Sequence, residues 1–454
     1  MKPNAAHRFL AVMLTICLAF SMAACGGGNN SSSGANTPAS SPAPDASSGA
    51  ASAADPITIE YWNINDESFG GPAVQSLVDK FNATNDKNIT VTNRLITGSY
   101  TGVIQNLQAA LVADTYPGVV QISYSYLNYF AENFPYVSPQ EIVTKYCPDD
   151  ADWINMNFLD SVSGLANTTN GDMLALPYAV SQPILFVNKD MLAKAGIDPE
   201  TVPATWDEVL EICAKMKEAT GDYGIYIESG DNIFWQLGMV LSAGAEMYEM
   251  ENGKCVPKFN SEEGKVGWQV LQDLYTNNYT VSMTVEEGLA AFISGKIAII
   301  GVSTARAAYF TQNCDFALTS WECPGYTGHE TRTATGGNML VTVAKDEAQI
   351  KACWEFLKFL YQPENLKVFI EATGYLPPIV GMEDELSDFI NNAVGIQTGI
   401  DSLKHATAWT SWPGPNGLEV EQIMYNMRDS ITAGADISTA LADAETKVKA
   451  LMDY

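Results

Sequence analysis

Ile57-Thr58-Ile59-Glu60-Tyr61-Trp62 alternates apolar and polar side chains over its first five positions and reads as a β-strand. A helical pattern follows at 72–81, then a second strand at 89–96 and a second helix at 102–113. Pro117-Gly118 opens a third strand at 119–122. Strand, helix, strand, helix, strand implies largely parallel pairing with helices on the sheet faces, an α/β fold. Residues 172–187 are mostly extended, interrupted by Pro177 and Pro183. In Thr205-Trp206-Asp207-Glu208 the Thr hydroxyl can accept from a first-turn amide while the Glu carboxylate reaches back, so a helix starts there and runs to about residue 219. More helices are expected at 234–243, 262–276 and 286–294. Gly295-Lys296-Ile297-Ala298-Ile299-Ile300-Gly301 reads as a buried strand, with a helix after Ser303 and another strand at 338–343. Beyond 346 the chain is almost wholly helical, over 346–361, 363–373, 418–431 and 437–451. The α/β organisation thus occurs twice, and a helical region closes the chain.

Upstream of the first strand the chain is of another kind. Lys2, His7 and Arg8 precede an apolar run at 9–20, then Ser21-Met22-Ala23-Ala24, Cys25 and a Gly/Ser/Ala/Pro tract reaching residue 54. A basic start, a short apolar run and small residues before a cut point make a secretory leader, too short to span a bilayer comfortably. Cys after Ala-Ala resembles the lipobox of bacterial lipoproteins, which implies acylation of Cys25 as the new N-terminus; Met22 stands where Leu is usual. The expected order is a leader at 1–24, a flexible tether at 25–55 and a folded region from 56. Such a protein works outside the cytoplasm, at the outer surface of a single-membrane cell or in a periplasm, held to the membrane by lipid.

The folded part, about 400 of the 454 residues and 46% hydrophobic overall, is enough for two domains or lobes. The net charge of −29 becomes −31 once Lys2 and Arg8 leave with the leader. Nucleic acid is excluded as a partner, since phosphates need Lys and Arg to neutralise them. An anionic ligand needs a local basic pocket. Six cysteines remain after Cys17 is cut away and Cys25 is acylated: Cys147, Cys213, Cys255, Cys314, Cys323 and Cys353. Cys213 and Cys353 sit among apolar helical residues and read as buried thiols. Cys314 and Cys323 are near enough in sequence to pair. No zinc spacing, EF-hand or Walker A sequence is present, and no metal or cofactor is expected.

Several segments, in order, resemble family 1 of the extracellular solute-binding proteins of ABC importers. They include Tyr61-Trp62-Asn63, Leu77-x3-Phe81-Asn82, Pro117-Gly118-Val119-Val120-Gln121, Leu185-Phe186-Val187-Asn188-Lys189-Asp190 and Ala195-Gly196-Ile197-Asp198-Pro199. Pro203-x-Thr205-Trp206-Asp207-Glu208, Phe292-x2-Gly295-Lys296, Gly336-Gly337, Pro363-Glu364-Asn365 and Thr373-Gly374-Tyr375-Leu376-Pro377 continue the series. The resemblance implies a periplasmic-binding-protein-like fold of two α/β lobes, 56–179 with 303–361 and 180–302 with 362–454. The chain would cross between them near 177–183, 301–303 and 361, and the lobes would close on ligand by hinge bending. It also implies a monomer serving two permease subunits and a separate ATPase, with a small carbohydrate as ligand.

Sugar pockets combine aromatic platforms with Asp, Asn, Ser and backbone groups, because sugars present hydroxyl rims and apolar C–H faces. Trp62, Asn63 and Asp66 end the first strand, where α/β clefts bind ligand. Tyr61, by its alternation, is read as core, whereas Trp62 suits core or cleft equally. Ser123 and Tyr124 end the third strand. Tyr100, Ser163, Trp235, Ser303, Thr304, Gly337 and Tyr375 match cleft positions of the family. Trp409 and Trp412 lie in a Trp-x-x-Trp-Pro-Gly loop too polar and Gly/Pro-rich for ordinary core. The glycerol-phosphate branch of the family carries an Arg in this late loop; here the nearest is Arg428, inside the next helix, which points to a neutral sugar. Arg306 or Arg332 can still supply the charge a glycerol phosphate needs, so that ligand stays as the alternative.

Two readings of other classes remain. Gly301-Val302-Ser303-Thr304-Ala305 is one Gly short of a nucleophile elbow, and a secreted serine esterase would need His329 or His405 as base. A surface adhesin or sensor that binds sugar without delivering it would have the same fold and cleft.

Overall fold

The computed structural model describes residues 56–452 apart from 68, 156, 157, 231 and 383; the leader, Cys25 and the tether lie outside the described residues. The strands in chain order are β1 (Ile57–Asn63), β2 (Ile89–Leu95), β3 (Val119–Ser123), β4 (Leu176–Ser181), β5 (Pro183–Asn188), β6 (Tyr223–Ile227), β7 (Tyr248–Glu251) and β8 (Lys254–Pro257). They continue with β9 (Ile297–Ser303), β10 (Leu318–Trp321), β11 (Thr333–Ala334), β12 (Gly336–Thr342) and β13 (Ala406–Thr407). Two sheets dominate, one ordered β2-β1-β3-β12-β4 and the other β10-β5-β9-β6. β1 pairs in parallel with both β2 and β3. The chain therefore leaves β1 to one side and returns to the other, which opens a crevice at the carboxyl ends of these strands.

Each sheet packs an apolar core on one side, and a third cluster joins buried residues of both sheets, among them Ile122, Val180, Phe186 and Ile300. The helices Gly71–Thr84, Glu347–Leu360 and Pro363–Thr373 put Leu77, Phe81, Trp354, Phe356 and Phe369 against the first sheet. Trp206–Thr220, Glu262–Thr276 and the tail helices Gly417–Thr432 and Ile437–Met452 enclose Trp206, Trp268, Met424 and Leu441 on the second. Each such side chain contributes about 1.5–3 kcal/mol through removal from water. The expected capping box is present: the Glu208 amide donates to Thr205 Oγ1 at 3.3 Å and the Thr205 amide to Glu208 Oε2 at 3.1 Å. Thr205→Ala should cost about 1 kcal/mol, read as a lower urea midpoint at unchanged slope.

The passages between the sheets are narrower than the sequence suggests. A single residue, Gln182, separates β4 in the first sheet from β5 in the second. Its side chain is buried, with Nε2 donating to Thr335 Oγ1 at 3.0 Å and Oε1 accepting from Thr333 Oγ1 at 2.6 Å. Its backbone exchanges hydrogen bonds with Thr304, the amide to Oγ1 at 3.2 Å and the carbonyl from Thr304 N at 2.9 Å.

Two expectations about the chain path change. The return expected at 301–303 does not occur there. After β9 the Ala307–Asn313 helix packs Phe310 on Phe186, centroids 4.8 Å apart, and β10 pairs antiparallel with β5. The passage back is Thr335, between β11 and β12, and β12 then pairs with β3 and β4. The Pro363–Thr373 helix, expected with the second lobe, lies on the first, where Phe369 stacks on Tyr178 at 4.3 Å. An apolar helical stripe says that a helix is buried, not which sheet buries it. All six cysteines among the described residues are free thiols, so Cys314 and Cys323 do not pair. Cys323 belongs to the core of the second sheet, and Cys314 packs against a different apolar cluster. Among the described residues no helix is long and apolar enough to cross a membrane.

Candidate functional site

A cavity of about 1120 Å³ is walled by both sheets and by the helix Gly417–Thr432. Its lining residues follow strand ends. Thr97 and Tyr100 come after β2, Ser125 and Tyr126 after β3, Glu228 after β6, and Ala305 and Arg306 after β9. Antiparallel β12 contributes its beginning, Gly336 and Gly337. The two sheets supply matching corners. Ser123 and Ser303 each end a strand and cap a one-turn 3-10 helix, their Oγ atoms accepting from Ser125 N and Ala305 N, both at 3.2 Å. The helix Ser99–Ala113 begins at the cavity behind left-handed Gly98, with no side chain capping its first amides.

Aromatic rings form much of the wall. Trp409 lies flat on Phe234, centroids 5.3 Å apart and planes 5° apart; Phe234 is buried and Trp409 is the more open of the two. Opposite elements carry Phe69, Tyr100 and Tyr375. Asn338 Nδ2 donates to the Tyr100 hydroxyl at 3.1 Å, and the Tyr375 hydroxyl adjoins it. Burial pushes the Tyr100 phenol well above its ordinary range, so it stays a neutral donor and acceptor. Among the described residues, the charged groups lining the cavity are one guanidinium, Arg306, and two carboxyls, Glu228 and Glu421. Burial pushes the Glu228 carboxyl up, with Arg306 and the Ser303 amide pulling the other way.

Six of the fourteen expected ligand residues line the cavity: Tyr100, Ser123, Ser303, Gly337, Tyr375 and Trp409. The other eight do not, for local reasons. Trp62 is buried in the strand register, its Nε1 bonded to Glu60 at 2.6 Å and the Arg94 guanidinium 4.6 Å over its ring. Asn63 is buried and ties Asn93 at 2.6 Å, and Asp66 uses its carbonyl to make the turn that presents Phe69. Tyr124 points inward and donates to the Ala179 carbonyl at 3.2 Å. Ser163 bonds its own helix, Oγ to Asp160 O at 3.1 Å. Thr304 is committed to Gln182. Trp235 is one position from Phe234 on a helix, hence about 100° away, and packs into the core against Trp206. Trp412 is buried against Tyr248 and Phe259, because Ser411, pinned by Asn128 at 2.9 Å, turns the loop inward.

Of the arginines weighed as phosphate ligands, only Arg306 reaches the cavity. Arg332 is paired with Glu246 at 2.6 Å. Arg428 donates to the carbonyls of Gly230 at 2.8 Å and Asn232 at 2.5 Å, which fixes the stretch that carries Glu228. Ser303, the candidate nucleophile of the esterase reading, is engaged as a cap, and His405 lies 3.5 Å from Glu322.

The family model for bacterial extracellular solute-binding proteins matches residues 76–398. The chain belongs to that family. Among its curated relatives, the sn-glycerol-3-phosphate-binding periplasmic protein UgpB of Pectobacterium atrosepticum is 26% identical over 351 residues, 73% of this chain and 74% of that protein. UgpB of Escherichia coli K12 is 27% identical over 339 residues, 70% of this chain and 74% of that one. Among solved structures, the cyclic alpha-maltosyl-1,6-maltose binding protein from Arthrobacter globiformis superposes with a TM-score of 0.73 at 19% identity, covering 87% of this chain and 99% of that one. UgpB from Mycobacterium tuberculosis, in complex with glycerophosphocholine, gives 0.74 at 20% identity, covering 87% and 98%. These structural neighbours show the two-lobed fold for this chain, and the cavity is lined by residues of both main sheets.

Proposed function

We propose that this solute-binding protein captures a neutral sugar or oligosaccharide in the cleft and delivers it to an ABC importer. In this reading two permease subunits receive the ligand, a separate ATPase supplies the energy, and Cys25 holds the protein to the membrane by lipid. The protein changes no covalent bond of its ligand. The lobes bend about Gln182, which joins the two main sheets directly, and Thr335, with a third passage beyond the helix Pro363–Thr373. The first lobe then comprises roughly 56–181 with 336–386 and the second most of the rest.

One observation carries the choice of ligand: among the described residues the cleft pairs aromatic faces and neutral polar groups with two carboxyls and a single cation. A phosphate dianion would find a single guanidinium, too little to neutralise it, whereas sugar C–H faces find rings and sugar hydroxyls find donors and acceptors. The volume of about 1120 Å³ also exceeds what a three-carbon phosphate would fill. A second reading, a glycerophosphodiester, is favoured by Arg306 and by the uncapped helix start at Ser99, which suits an anion. The relatives named for glycerol 3-phosphate support it too.

Paired variants separate the two. For a saccharide ligand, Trp409→Ala should lower affinity about 30-fold, a loss near 2 kcal/mol, while Arg306→Ala changes it by less than about threefold. Calorimetric titration with the best-binding ligand of each class measures both. The reverse order of effects would favour the phosphodiester.

A further inference from the structure

One group in the cleft is out of place for a surface or core residue. Glu421, on the helix Gly417–Thr432, is 8% exposed and lines the cleft wall, yet neither carboxyl oxygen has a hydrogen-bond partner. Such a group costs stability, commonly 1–3 kcal/mol, unless something else satisfies it. On its own helix, the Tyr425 hydroxyl sits beside the carboxyl outside hydrogen-bond geometry, and Arg428 is committed to Gly230, Asn232 and Asp429. From the first lobe, Tyr126 approaches Tyr425, and its hydroxyl is 2.8 Å from Thr101 Oγ1. From the second, Tyr275 faces Arg428 and Asp429. Among the described residues no lysine or arginine pairs with Glu421.

We propose that Glu421 is a specificity-determining residue of the cleft, and that as an uncharged acid it donates to an oxygen of a neutral saccharide and accepts from one of its hydroxyls. This rests on the saccharide reading above. Burial pushes its carboxyl up to about 8, so the acid keeps its proton at neutral pH with no cation to offset a charge. A carboxylic acid offers one donor and an acceptor on adjacent oxygens, which is how a pair of neighbouring sugar hydroxyls is met. A carboxylate in the same place could only accept from hydroxyls, and its charge would stand in a buried wall with no paired cation among the described residues.

The test uses the purified protein and the neutral saccharide that most raises its melting temperature, with calorimetric titration from pH 6 to 9. Glu421→Ala should weaken binding at least about tenfold at pH 7. Glu421→Gln, whose amide also donates and accepts, should stay within about threefold. Wild-type affinity should fall about tenfold from pH 7 to 9 as the acid ionises, and the profile of Glu421→Gln should be flat. Equal affinity of wild type and Glu421→Ala would overturn the proposal while leaving the saccharide reading intact. A wild-type affinity that rises with pH, or that is lost equally in Gln and Ala, would overturn it in favour of an ionised carboxylate that only accepts from the saccharide hydroxyls. If no neutral saccharide binds wild type, the saccharide reading fails and this inference with it.

Discussion

Gly337→Ala should destabilise the protein by at least about 3 kcal/mol and remove ligand binding through loss of the folded cleft. Gly337 has φ 116°, a conformation in which an L side chain is strained. A Cβ there would lie 2.0 Å from the Ala179 carbonyl oxygen and 2.6 Å from its carbon. Both atoms are backbone of β4, so no rotamer change relieves the clash. β12 would have to separate from β4 where their register already shifts, between Asn338 and Met339. β4 leads straight into Gln182, so the damage falls on the passage between the lobes. The check is the urea midpoint against that of Gly164→Ala, where nothing lies within 4 Å of the added methyl. A Gly337→Ala midpoint equal to that of the control would mean that β12 and β4 do not approach so closely at Gly337.

Glu421→Gln should stabilise the protein on the alkaline side and leave it unchanged in acid. Burial raises the folded-state carboxyl to about 8, against 4.5 for the ordinary group. Below the unfolded value both states hold the proton and nothing is lost. As pH rises from about 4.5 through 8, the unfolded chain gives up the proton and the folded chain keeps it, so stability falls steadily until the folded value is passed. The full loss is on the order of 5 kcal/mol, about 1.4 kcal/mol for each pH unit of that interval. The glutamine variant never pays it. Urea unfolding at pH 5 and pH 9 checks this: the two proteins should nearly coincide at pH 5, and the variant should be several kcal/mol more stable at pH 9. An equal gap at both pH values would mean that Glu421 is ionised throughout. An acid retained at such a cost in a cleft wall fits a residue kept for the ligand rather than for the fold.

The α/β class was legible because each periodic segment is long. The strand at 57–62, the capping box at Thr205 and the tail helices all lie where their patterns put them. Short elements were not. β10 is only Leu-Thr-Ser-Trp, yet its pairing with β5 keeps 304–334 with the second sheet. The hairpin of β7 and β8 did carry a readable signal, Asn252-Gly253, both with positive φ at its turn. Within the site, the rule that ligands gather at strand carboxyl ends selects the right loops but not the right residue in each. It pointed to Trp62 and Tyr124, whereas Phe69 and Ser125, a few positions on, reach the cleft. Trp235 and Phe234 differ by one helical position, and a single sequence cannot set that phase. Glu421 gave no signal, since an acid on an amphipathic helix normally marks the solvated face.

The most direct measurement is calorimetric titration of the purified protein with neutral oligosaccharides and, separately, with glycerol 3-phosphate and glycerophosphocholine. The cleft predicts one site per chain, micromolar or tighter affinity for at least one saccharide, and weak or absent binding of both phosphates. Tight binding of either phosphate with no heat from any saccharide would contradict the assignment of the cleft to neutral sugars.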